Sequence, residues 1–214
     1  MNKEQLQKLR EDYSKHSLDE PNVSDDPIEQ FESWMQEAMK AKVPEPNAMT
    51  LSTVDAGNKP HSRVVLLKGI EDGEFVFYTN HQSDKGSELE QNPNVALCFL
   101  WLELERQVRI EGTAEKLSQE ESEAYFKLRP YKSQIGALAS NQSTVVPNRE
   151  FLEKRFEELK EKYSEGDVPK PESWGGYKIK PEVFEFWQGR RSRLHDRIKF
   201  GKVGDKWDIK RLSP

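Results

Sequence analysis

The chain has 214 residues, of which 34% are hydrophobic and 33% charged, and its formal net charge is -5. This acidic balance argues against general nucleic-acid binding, and residues 1–13 are too polar for a signal peptide. The longest apolar run, residues 95–102, is too short to cross a bilayer and is typical of a buried strand. We therefore expect a cytoplasmic protein with an N-terminal arm at residues 1–26 and one domain at residues 27–214.

The N-terminal segment is predicted to be helical. Residues 1–16 form one predicted helix. A second helix is predicted to run to about Ala41, because Asp26 is a suitable N-cap and Pro27 suits the first helical position. Apolar side chains recur in this second helix at helical spacing, so we expect it to pack against a core and to have no chemical role.

From about residue 48 the pattern changes to strands. The predicted strands are 48–54, 62–70, 74–80, 95–102 and 106–117, with turns at 55–58 and 72–73 and a short helix at 85–91. Short connections between successive strands indicate an antiparallel sheet, most economically closed as a barrel. The sequence has no glycine-rich loop of the Rossmann or P-loop type, so neither of those nucleotide sites is supported.

The second half of the chain combines helices and strands. Two helices are predicted within residues 118–139, with a break at Arg129-Pro130, and a charged amphipathic helix is predicted over 148–163. From Gly176 the pattern returns to strands and ends with a hairpin around Gly204-Asp205. The predicted fold is therefore α+β and mainly β, with an antiparallel sheet and peripheral helices.

Cysteine and histidine give no indication of a metal site. Cys98, the only cysteine, lies inside the apolar run, where an inert thiol is expected. The four histidines are scattered and lack zinc-type spacing. We therefore expect no bound metal.

The stretch from Trp187 to Arg197 is rich in positive charge. If it runs as a strand, one face carries Trp187, Arg191, Arg193, His195 and Arg197. Such a row is favourable where anions or water neutralise it, so it predicts either an anion site or a solvated edge strand. Residues 185–211 contain nine Lys/Arg and four Asp/Glu in an otherwise acidic chain, and this contrast favours the anion site.

Two further cations flank an apolar strand. Arg63 and Lys68 are five residues apart, so on a regular strand they project from opposite faces and can reach two different anions. Ordinary charges at the ends of a strand would give the same pattern.

A possible phosphate cradle lies in the helical segment. Tyr125, Arg129 and Ser133 recur every four residues, and all three side chains donate hydrogen bonds. Their convergence requires a kink or a fresh helix start at Pro130. The alternative is a packing tyrosine beside surface polar residues.

Other polar residues are weaker candidates. Gln107 shares a strand face with Arg109, opposite Val108 and Ile110, and is typical of a cross-strand hydrogen-bonding partner. Lys85 begins a short helix and Gln142-Ser143 lies in a polar turn, so each could donate to an anion.

Six segments occur together in one order and at characteristic separations: SRVVLLKG, VFYTN, LERQVRIEG, RPYKSQIG, SWGGY and FWQGRRSRLHDR. In these segments the chain resembles the pyridoxamine (pyridoxine) 5'-phosphate oxidase family over essentially its whole length. The resemblance implies an FMN-binding split β-barrel with an N-terminal helical arm. It also implies a homodimer with FMN at the subunit interface.

The resemblance further implies the reaction. FMN accepts a hydride from C4' of pyridoxamine or pyridoxine 5'-phosphate at N5, and O2 reoxidises it with release of H2O2. The product is pyridoxal 5'-phosphate, with ammonia released when the substrate is the amine. Another FMN oxidoreductase of the same fold, or a carrier of FMN or pyridoxal phosphate without turnover, is the alternative.

The FMN site implied by the resemblance has two parts. Within one subunit it comprises Arg63, Val64, Val65, Leu66, Leu67, Lys68, Tyr78, Thr79, Lys85, Gln107, Gln142 and Ser143. Arg63, Lys85 and Ser143 would neutralise the FMN phosphate, and the others would border the ring and the ribityl chain. Trp187 and Arg197 would come from the neighbouring subunit.

The implied substrate site uses a second set of residues. Lys68, Tyr125, Arg129 and Ser133 would hold the substrate phosphate. Arg193 and His195 would be the catalytic residues, lying against the pyridine ring, with His195 positioning the substrate. Arg10 and Tyr13 would close over the site.

One position departs from the family pattern. After Ser83 the family commonly has Arg-Lys, whereas this chain has Asp84-Lys85. An acid near the FMN phosphate predicts weaker cofactor binding or compensation by another cation, unless Asp84 turns outward. Arg190 and Arg191 are assigned no role.

Overall fold

The structure is a computed structural model that describes residues 2–9 and 11–214. The helices in this part of the chain are α1 (Lys3–Lys8), α2 (Pro27–Lys40), α3 (Asp84–Gln91), α4 (Gln119–Leu128), α5 (Tyr131–Ala139) and α6 (Arg149–Lys162). The strands are β1 (Ala48–Val54), β2 (Pro60–Leu66), β3 (Gly69–Glu71), β4 (Glu74–Asn80), β5 (Asn94–Trp101), β6 (Arg106–Lys116), β7 (Trp174–Gln188), β8 (Asp196–Val203) and β9 (Lys206–Arg211). No helix of the described chain has both the length and the apolar character needed to cross a membrane.

The strands form one sheet of order β2-β1-β5-β6-β7-β4-β3, with β8 and β9 attached in turn to β7. This confirms an α+β, mainly β fold. The predicted strand 62–70 is divided: residues 60–66 lie at one end of the order and residues 69–71 at the other. Because these two end strands are not hydrogen-bonded neighbours, the sheet is not closed, and the expected closed barrel is wrong for the described strands.

The chain forms two compact units. The first contains Met1–Thr50, Leu97–Glu111 and Glu182–Pro214, and the second contains Leu51–Ala96 and Gly112–Pro181. The first unit has an aromatic core in which Phe31 contacts Phe99 and Trp34 contacts Phe186, with ring centroids 4.9 and 5.3 Å apart. In the second unit Phe126, Ile135, Val168 and Trp174 form a buried cluster. Aromatic burial of this kind is the main source of stability in each unit.

The apolar run in β5 is buried on one face only. Leu97 and Phe99 are fully buried, whereas Leu100 is 54% exposed. Cys98 is half-buried, and burial raises the pKa of its thiol. The run therefore follows the alternation of a one-sided strand and not that of a strand buried on both faces.

The N-terminal helix is shorter than predicted. It ends at Lys8, and residues 11–16 are not helical. The backbone N–H groups of Ser14 and Lys15 donate to the Glu105 carboxylate at 2.8 and 3.0 Å. These bonds satisfy donors that would otherwise seek helical carbonyls, so a distant side chain determines the conformation here.

The second predicted helix is confirmed as α2. The Asp26 side chain accepts a hydrogen bond from the N–H of Ile28 at 2.7 Å, and Pro27 occupies the first helical position. The buried face includes Phe31, Trp34 and Ala38. The cap and the apolar spacing are both local signals, which explains why this helix is readable from the sequence.

The stretch from Trp187 to Arg197 is a hairpin and not a continuous strand. Strand β7 ends at Gln188, residues 191–193 form a 3-10 turn, and β8 begins at Asp196. Ser192 and Arg193 adopt left-handed conformations with φ of 57° and 61°. The single row of cations expected from strand alternation is therefore wrong, because the chain reverses direction before Arg197.

Candidate functional site

A cavity of about 730 Å³ lies in the second unit. It is lined by Arg63, Val64, Val65, Leu66, Lys68, Tyr78, Thr79, Asn80, Lys85, Tyr125, Arg129, Ser133, Gly136, Ala137, Ser140, Gln142 and Trp174. Four of these side chains are cationic, and none is a carboxylate. We call this space the cationic cavity; its volume lies within the range of about 300–1,000 Å³ found for small-molecule sites, and its charge suits a phosphorylated ligand.

Lys85 is held at one end of the cationic cavity by polar side chains. Its ammonium donates to Gln142 Oε1 at 2.8 Å, to Ser83 Oγ at 3.2 Å and to Thr79 Oγ1 at 3.3 Å. Burial lowers the Lys85 pKa, and the nearby Arg63 charge lowers it further. An anion bound beside Lys85 would offset both effects.

The turn at residues 141–144 approaches the same end. Ser143 has a left-handed backbone, φ 71°, and its Oγ accepts a hydrogen bond from the N–H of Asp84 at 3.2 Å. Lys85 and Ser143 are therefore positioned together at the start of α3. This is the grouping that the resemblance implies for a phosphate.

Asp84 is exposed and does not line the cationic cavity. It lines a separate cleft of about 470 Å³ together with Asp55, Glu88 and His61. We call this second space the acidic cleft. Of the alternatives left open by the sequence, the observed placement corresponds to an acid that turns outward.

Arg63 lies on the boundary between the two spaces. It lines both the cationic cavity and the acidic cleft. Its Nη2 is 2.9 Å from Glu88 Oε2, and its Nη1 donates to Thr53 Oγ1. Glu88 is only 8% exposed, so Arg63 is fixed by a largely buried carboxylate.

Arg63 and Lys68 do not face opposite ways. Strand β2 ends at Leu66, so strand alternation does not extend to Lys68, and both side chains line the cationic cavity. The expectation of two separate directions is therefore wrong, because the strand is broken between these residues.

Tyr125, Arg129 and Ser133 meet at the same cavity, as their spacing predicts. Helix α4 ends at Leu128 and α5 begins at Tyr131, so Pro130 provides the required fresh start. The Ser133 N–H donates to the carbonyl of Pro130 at 2.8 Å and closes the first turn of α5.

Aromatic rings surround the Arg129 guanidinium. Its Cζ lies 4.7 Å from the ring centroid of Trp174 and 5.6 Å from that of Phe126. Its Nη1 is buried and has no hydrogen-bond partner, and burial lowers the Arg129 pKa. A charged donor of this kind is costly without an acceptor.

Tyr78 and Tyr125 form a stacked pair beside this arginine. Their ring centroids are 3.9 Å apart, with 12° between the planes. Burial raises the Tyr78 pKa to about 12, so its hydroxyl stays protonated at neutral pH. A Cβ at Gly176 would lie 2.8 Å from Tyr78 Cε1, so the glycine allows the ring to reach this position.

Leu67 lies in the second unit, where it is buried and does not line the cationic cavity. The remaining predicted site residues that the structure describes lie in the first unit. Tyr13, Trp187 and His195 form an aromatic cluster with centroid distances of 5.7, 5.8 and 4.7 Å. The Arg190 N–H donates to His195 Nδ1 at 3.0 Å. Burial lowers the His195 pKa, and the Arg193 charge lowers it further. Arg10 lies outside the described residues.

Arg197 is tied to the same unit by Glu185. Its Nε donates to Glu185 Oε1 at 2.9 Å, which raises the Arg197 pKa, and its Nη1 donates to the Ser213 carbonyl at 2.9 Å. Arg109 reaches the other oxygen of Glu185 at 3.4 Å. On β6, Gln107 and Arg109 alternate with buried positions as predicted.

Two contributors are absent from the sequence-based site. Glu88 fixes Arg63, and Trp174 covers Arg129. Each partner is distant in sequence from the residue that it contacts, so no local spacing links them. The available local signal for Trp174 was its position directly before two glycines, Gly175 and Gly176.

Family models match most of the chain. The family described as pyridoxamine 5'-phosphate oxidase matches residues 35–163, and the pyridoxine 5'-phosphate oxidase C-terminal dimerisation region matches residues 174–214. A pyridoxine/pyridoxamine 5'-phosphate oxidase of Cupriavidus necator is 54% identical over 211 residues, covering 98% of this chain and 99% of that protein. The enzyme of the same name from Acaryochloris marina is 51% identical over 206 residues, with 96% and 94% covered.

Solved structures have the same fold. PhzG from Burkholderia lata, in complex with tetrahydrophenazine-1-carboxylic acid, is 29% identical with a TM-score of 0.85, covering 91% of this chain and 95% of that one. A pyridoxamine 5'-phosphate oxidase-related, FMN-binding protein from Nostoc punctiforme has a TM-score of 0.73 at 15% identity, with 90% and 100% covered; this second likeness concerns the fold alone. On the family models and the near full-length relatives, the chain belongs to the pyridoxamine 5'-phosphate oxidase family.

Proposed function

We propose that this protein is an FMN-dependent oxidase that converts pyridoxamine 5'-phosphate and pyridoxine 5'-phosphate to pyridoxal 5'-phosphate. Its relatives at about half identity over nearly the full length have this activity in their names. The structural observation that carries the proposal is a cavity lined by four cations and no carboxylate. Both FMN and the substrate carry a phosphate group, which such a lining favours.

The residues present fit FMN. Lys85 and Arg63 line the cationic cavity. Ser143 does not line it but contacts the start of α3 next to Lys85, through the N–H of Asp84. We assign the FMN phosphate to these three residues. The apolar side chains of Val64, Val65 and Leu66 give the cavity a wall suited to a flat ring, and Tyr78, Thr79 and Gln142 supply its polar border.

The second cationic group fits the substrate phosphate. Lys68, Tyr125, Arg129 and Ser133 line the cavity together, and the unpartnered Nη1 of Arg129 is a donor that a phosphate oxygen would satisfy. We assign this group to the phosphate of pyridoxamine or pyridoxine 5'-phosphate. The two groups together would hold one cofactor phosphate and one substrate phosphate.

Bound FMN would supply the acceptor for the hydride lost from substrate C4' and the route for its electrons to O2, with H2O2 as the product. The protein binds and orients the reactants. Nδ1 of His195 accepts a hydrogen bond from Arg190, so neutral His195 carries its proton on Nε2 and presents a donor. Arg193 and His195 lie against the pyridine ring in this proposal, and Tyr13 covers the ring.

The protein is a homodimer, as its match to the family's dimerisation region over residues 174–214 supports. We infer that FMN lies at the subunit interface and that Trp187 and Arg197 reach it from the partner subunit. Gln107 is assigned to the border of the ring and the ribityl chain and is not one of the partner's residues. The cytoplasmic location remains a prediction from the sequence.

One experiment separates the proposed oxidase from two alternative functions. PhzG, which is similar in fold, is described with a tetrahydrophenazine carboxylic acid, so a flavin oxidase with another substrate is the first alternative. A carrier without turnover is the second. The FMN-loaded protein is incubated in air with pyridoxine 5'-phosphate, and pyridoxal 5'-phosphate and H2O2 are quantified.

The proposal predicts equal amounts of the two products over many turnovers. It also predicts a KM for unphosphorylated pyridoxine at least about 100-fold higher, because two charged contacts to phosphate are lost. Absence of turnover, or equal use of pyridoxine and its phosphate, would contradict it.

A further inference from the structure

We propose that Trp174 is a positioning residue for substrate phosphate: its indole face holds the Arg129 guanidinium at the cationic cavity. The inference rests on the proposed function, because Arg129 is assigned there to the substrate phosphate. Trp174 begins β7 and is 6% exposed. It is part of the cavity wall, but no role in substrate recognition follows from its position alone.

Arg129 is held at the cavity by an aromatic ring. No carboxylate lines the cationic cavity, and Nη1 is buried without a hydrogen-bond partner. The ring of Trp174 is 4.7 Å from the guanidinium carbon, closer than that of Phe126 at 5.6 Å. Indole is the strongest aromatic partner for a cation, and the attraction grows where water is excluded. The indole face therefore replaces the missing counter-ion.

Trp174 is fixed by its backbone and by a neighbouring ring. Its backbone pairs with Asn80 in the β4–β7 ladder, and its N–H donates to the Pro171 carbonyl at 3.0 Å. Its ring is nearly parallel to that of Tyr78, with centroids 5.3 Å apart and 7° between the planes. Tyr78 in turn stacks on Tyr125. One rigid aromatic group thus contacts two of the phosphate-binding side chains, Tyr125 and Arg129.

Trp174 also has a packing role, which predicts different results from a positioning role. Trp174 also contacts the buried cluster of Phe126, Ile135 and Val168, so a substitution can lower stability without any effect on recognition. If Trp174 acts through Arg129, its substitution raises the KM for the phosphorylated substrate only while Arg129 is present. A packing role predicts losses that are independent of Arg129.

The test is a double-mutant cycle of Trp174→Leu and Arg129→Ala, with Trp174→Phe as the conservative variant. We expect Trp174→Leu to raise the KM for pyridoxine 5'-phosphate at least 10-fold, with kcat within about 2-fold. We expect Trp174→Phe to raise it by less than about 3-fold. In the Arg129→Ala background, Trp174→Leu should change the KM by less than 2-fold.

Inorganic phosphate, tested as a competitive inhibitor, should lose affinity in parallel with the KM. Trp207→Leu is the matched control, because it removes another aromatic ring that lies near a cation. The Lys202 Nζ atom is 5.7 Å from the centroid of the Trp207 ring, and Trp207 does not line the cavity. Trp207→Leu should leave the KM unchanged. Multiplicative effects of Trp174→Leu and Arg129→Ala, or an equal loss of kcat/KM for unphosphorylated pyridoxine, would overturn the inference.

If Trp174→Leu does not fold, the cycle is run with Trp174→Phe and Trp174→Tyr. The inference then predicts that Trp174→Phe raises the KM for pyridoxine 5'-phosphate at least as much as Trp174→Tyr does. It also predicts that neither substitution changes the KM in the Arg129→Ala background. Failure of the wild-type protein to oxidise pyridoxine 5'-phosphate would be a failure of the proposed function. Activity without coupling would be a failure of this inference alone.

Discussion

Trp187 and Arg197 are directly opposite each other in the β7–β8 ladder. The hairpin of residues 189–195 between them brings together two residues that are ten apart in sequence. Glu185, two residues before Trp187 on β7, accepts a hydrogen bond from Arg197. The two residues assigned to the partner's flavin are therefore held by strand register, and Arg197 is also held by its ion pair with Glu185.

Glu185→Ala should destabilise the protein. Glu185 is 8% exposed and bonds to Arg197 and Arg109, which are themselves partly exposed. Removing one partner of a buried pair costs about 3–5 kcal/mol, and solvent access here reduces this to about 1–3 kcal/mol. Urea denaturation of the FMN-loaded dimer measures the change in unfolding free energy.

Glu111→Ala is the matched control, because Glu111 pairs with Arg109 on the surface, where such a pair is worth about 0–1 kcal/mol. An equal change in the two variants would contradict the structural role of Glu185.

Arg129→Ala should raise the KM for both phosphorylated substrates. Loss of one charged hydrogen bond costs about 1.5–3 kcal/mol, or roughly 10- to 150-fold in affinity. Steady-state kinetics with pyridoxamine and pyridoxine 5'-phosphate measure the effect. Lys127→Ala is the control, because Lys127 pairs with Glu123 on an exposed face of α4, and it should not change the KM. An unchanged KM in Arg129→Ala would contradict the assignment of Arg129 to the substrate phosphate.

His195→Asn should weaken substrate binding more than the chemical step. His195 is held by the Arg190 N–H and by the rings of Tyr13 and Trp187, an arrangement that positions an imidazole without providing a strong base. Rapid-mixing kinetics should give flavin reduction within about 10-fold of the wild-type rate at saturating substrate, since positioning is recovered by saturation. Loss of reduction with unchanged affinity would show that His195 is required as a base.

Asp84→Asn should have little effect on FMN affinity. Asp84 is exposed and faces the acidic cleft, so we expect a change in Kd below about 3-fold. Lys85→Met, which removes a buried cation that lines the cavity, should raise Kd by at least about 10-fold. Fluorescence titration of the apoprotein with FMN measures both. A large gain in affinity for Asp84→Asn would indicate that the acid does act on the phosphate.

His81 should make the protein less stable in mild acid. Burial lowers its pKa, opposed by a hydrogen bond to the Gly176 carbonyl, and Lys116 and Lys170 lower the pKa further. The unfolded chain therefore binds a proton at a higher pH than the folded chain does. Stability from this group is complete above the unfolded pKa of about 6.5 and is lost as pH falls toward the lower folded value.

Thermal denaturation from pH 5 to 8 should thus show a slope below about pH 6.5 that is smaller in His81→Gln. A difference between the two proteins that is independent of pH would contradict the assignment to His81.

Local signals were sufficient for much of the fold. Caps such as Asp26, turn residues such as Asp72-Gly73, and the break at Pro130 depend on neighbours in sequence, and those elements are found as predicted. That Tyr125, Arg129 and Ser133 line one cavity was predictable for the same reason. Residues 11–16 were not, because the Glu105 carboxylate that binds their backbone is distant in sequence.

The same distinction applies to the site. The chain reversal at Ser192 and Arg193 requires positive φ at two residues that are not glycine. The sequence therefore has no turn signature there from which the reversal could be predicted. Trp174 above Arg129 and Glu88 beside Arg63 are tertiary contacts that no spacing encodes. The roles proposed for the two cationic groups came from the resemblance, since charge alone does not separate cofactor from substrate.

The central claim is hydride transfer from a phosphorylated B6 substrate to bound FMN. It is tested most directly by anaerobic mixing of the FMN-loaded protein with one equivalent of pyridoxamine 5'-phosphate, followed by flavin absorbance. We predict bleaching of the flavin with formation of one pyridoxal 5'-phosphate per FMN reduced. A spectral shift without bleaching, or no response at all, would contradict the claim.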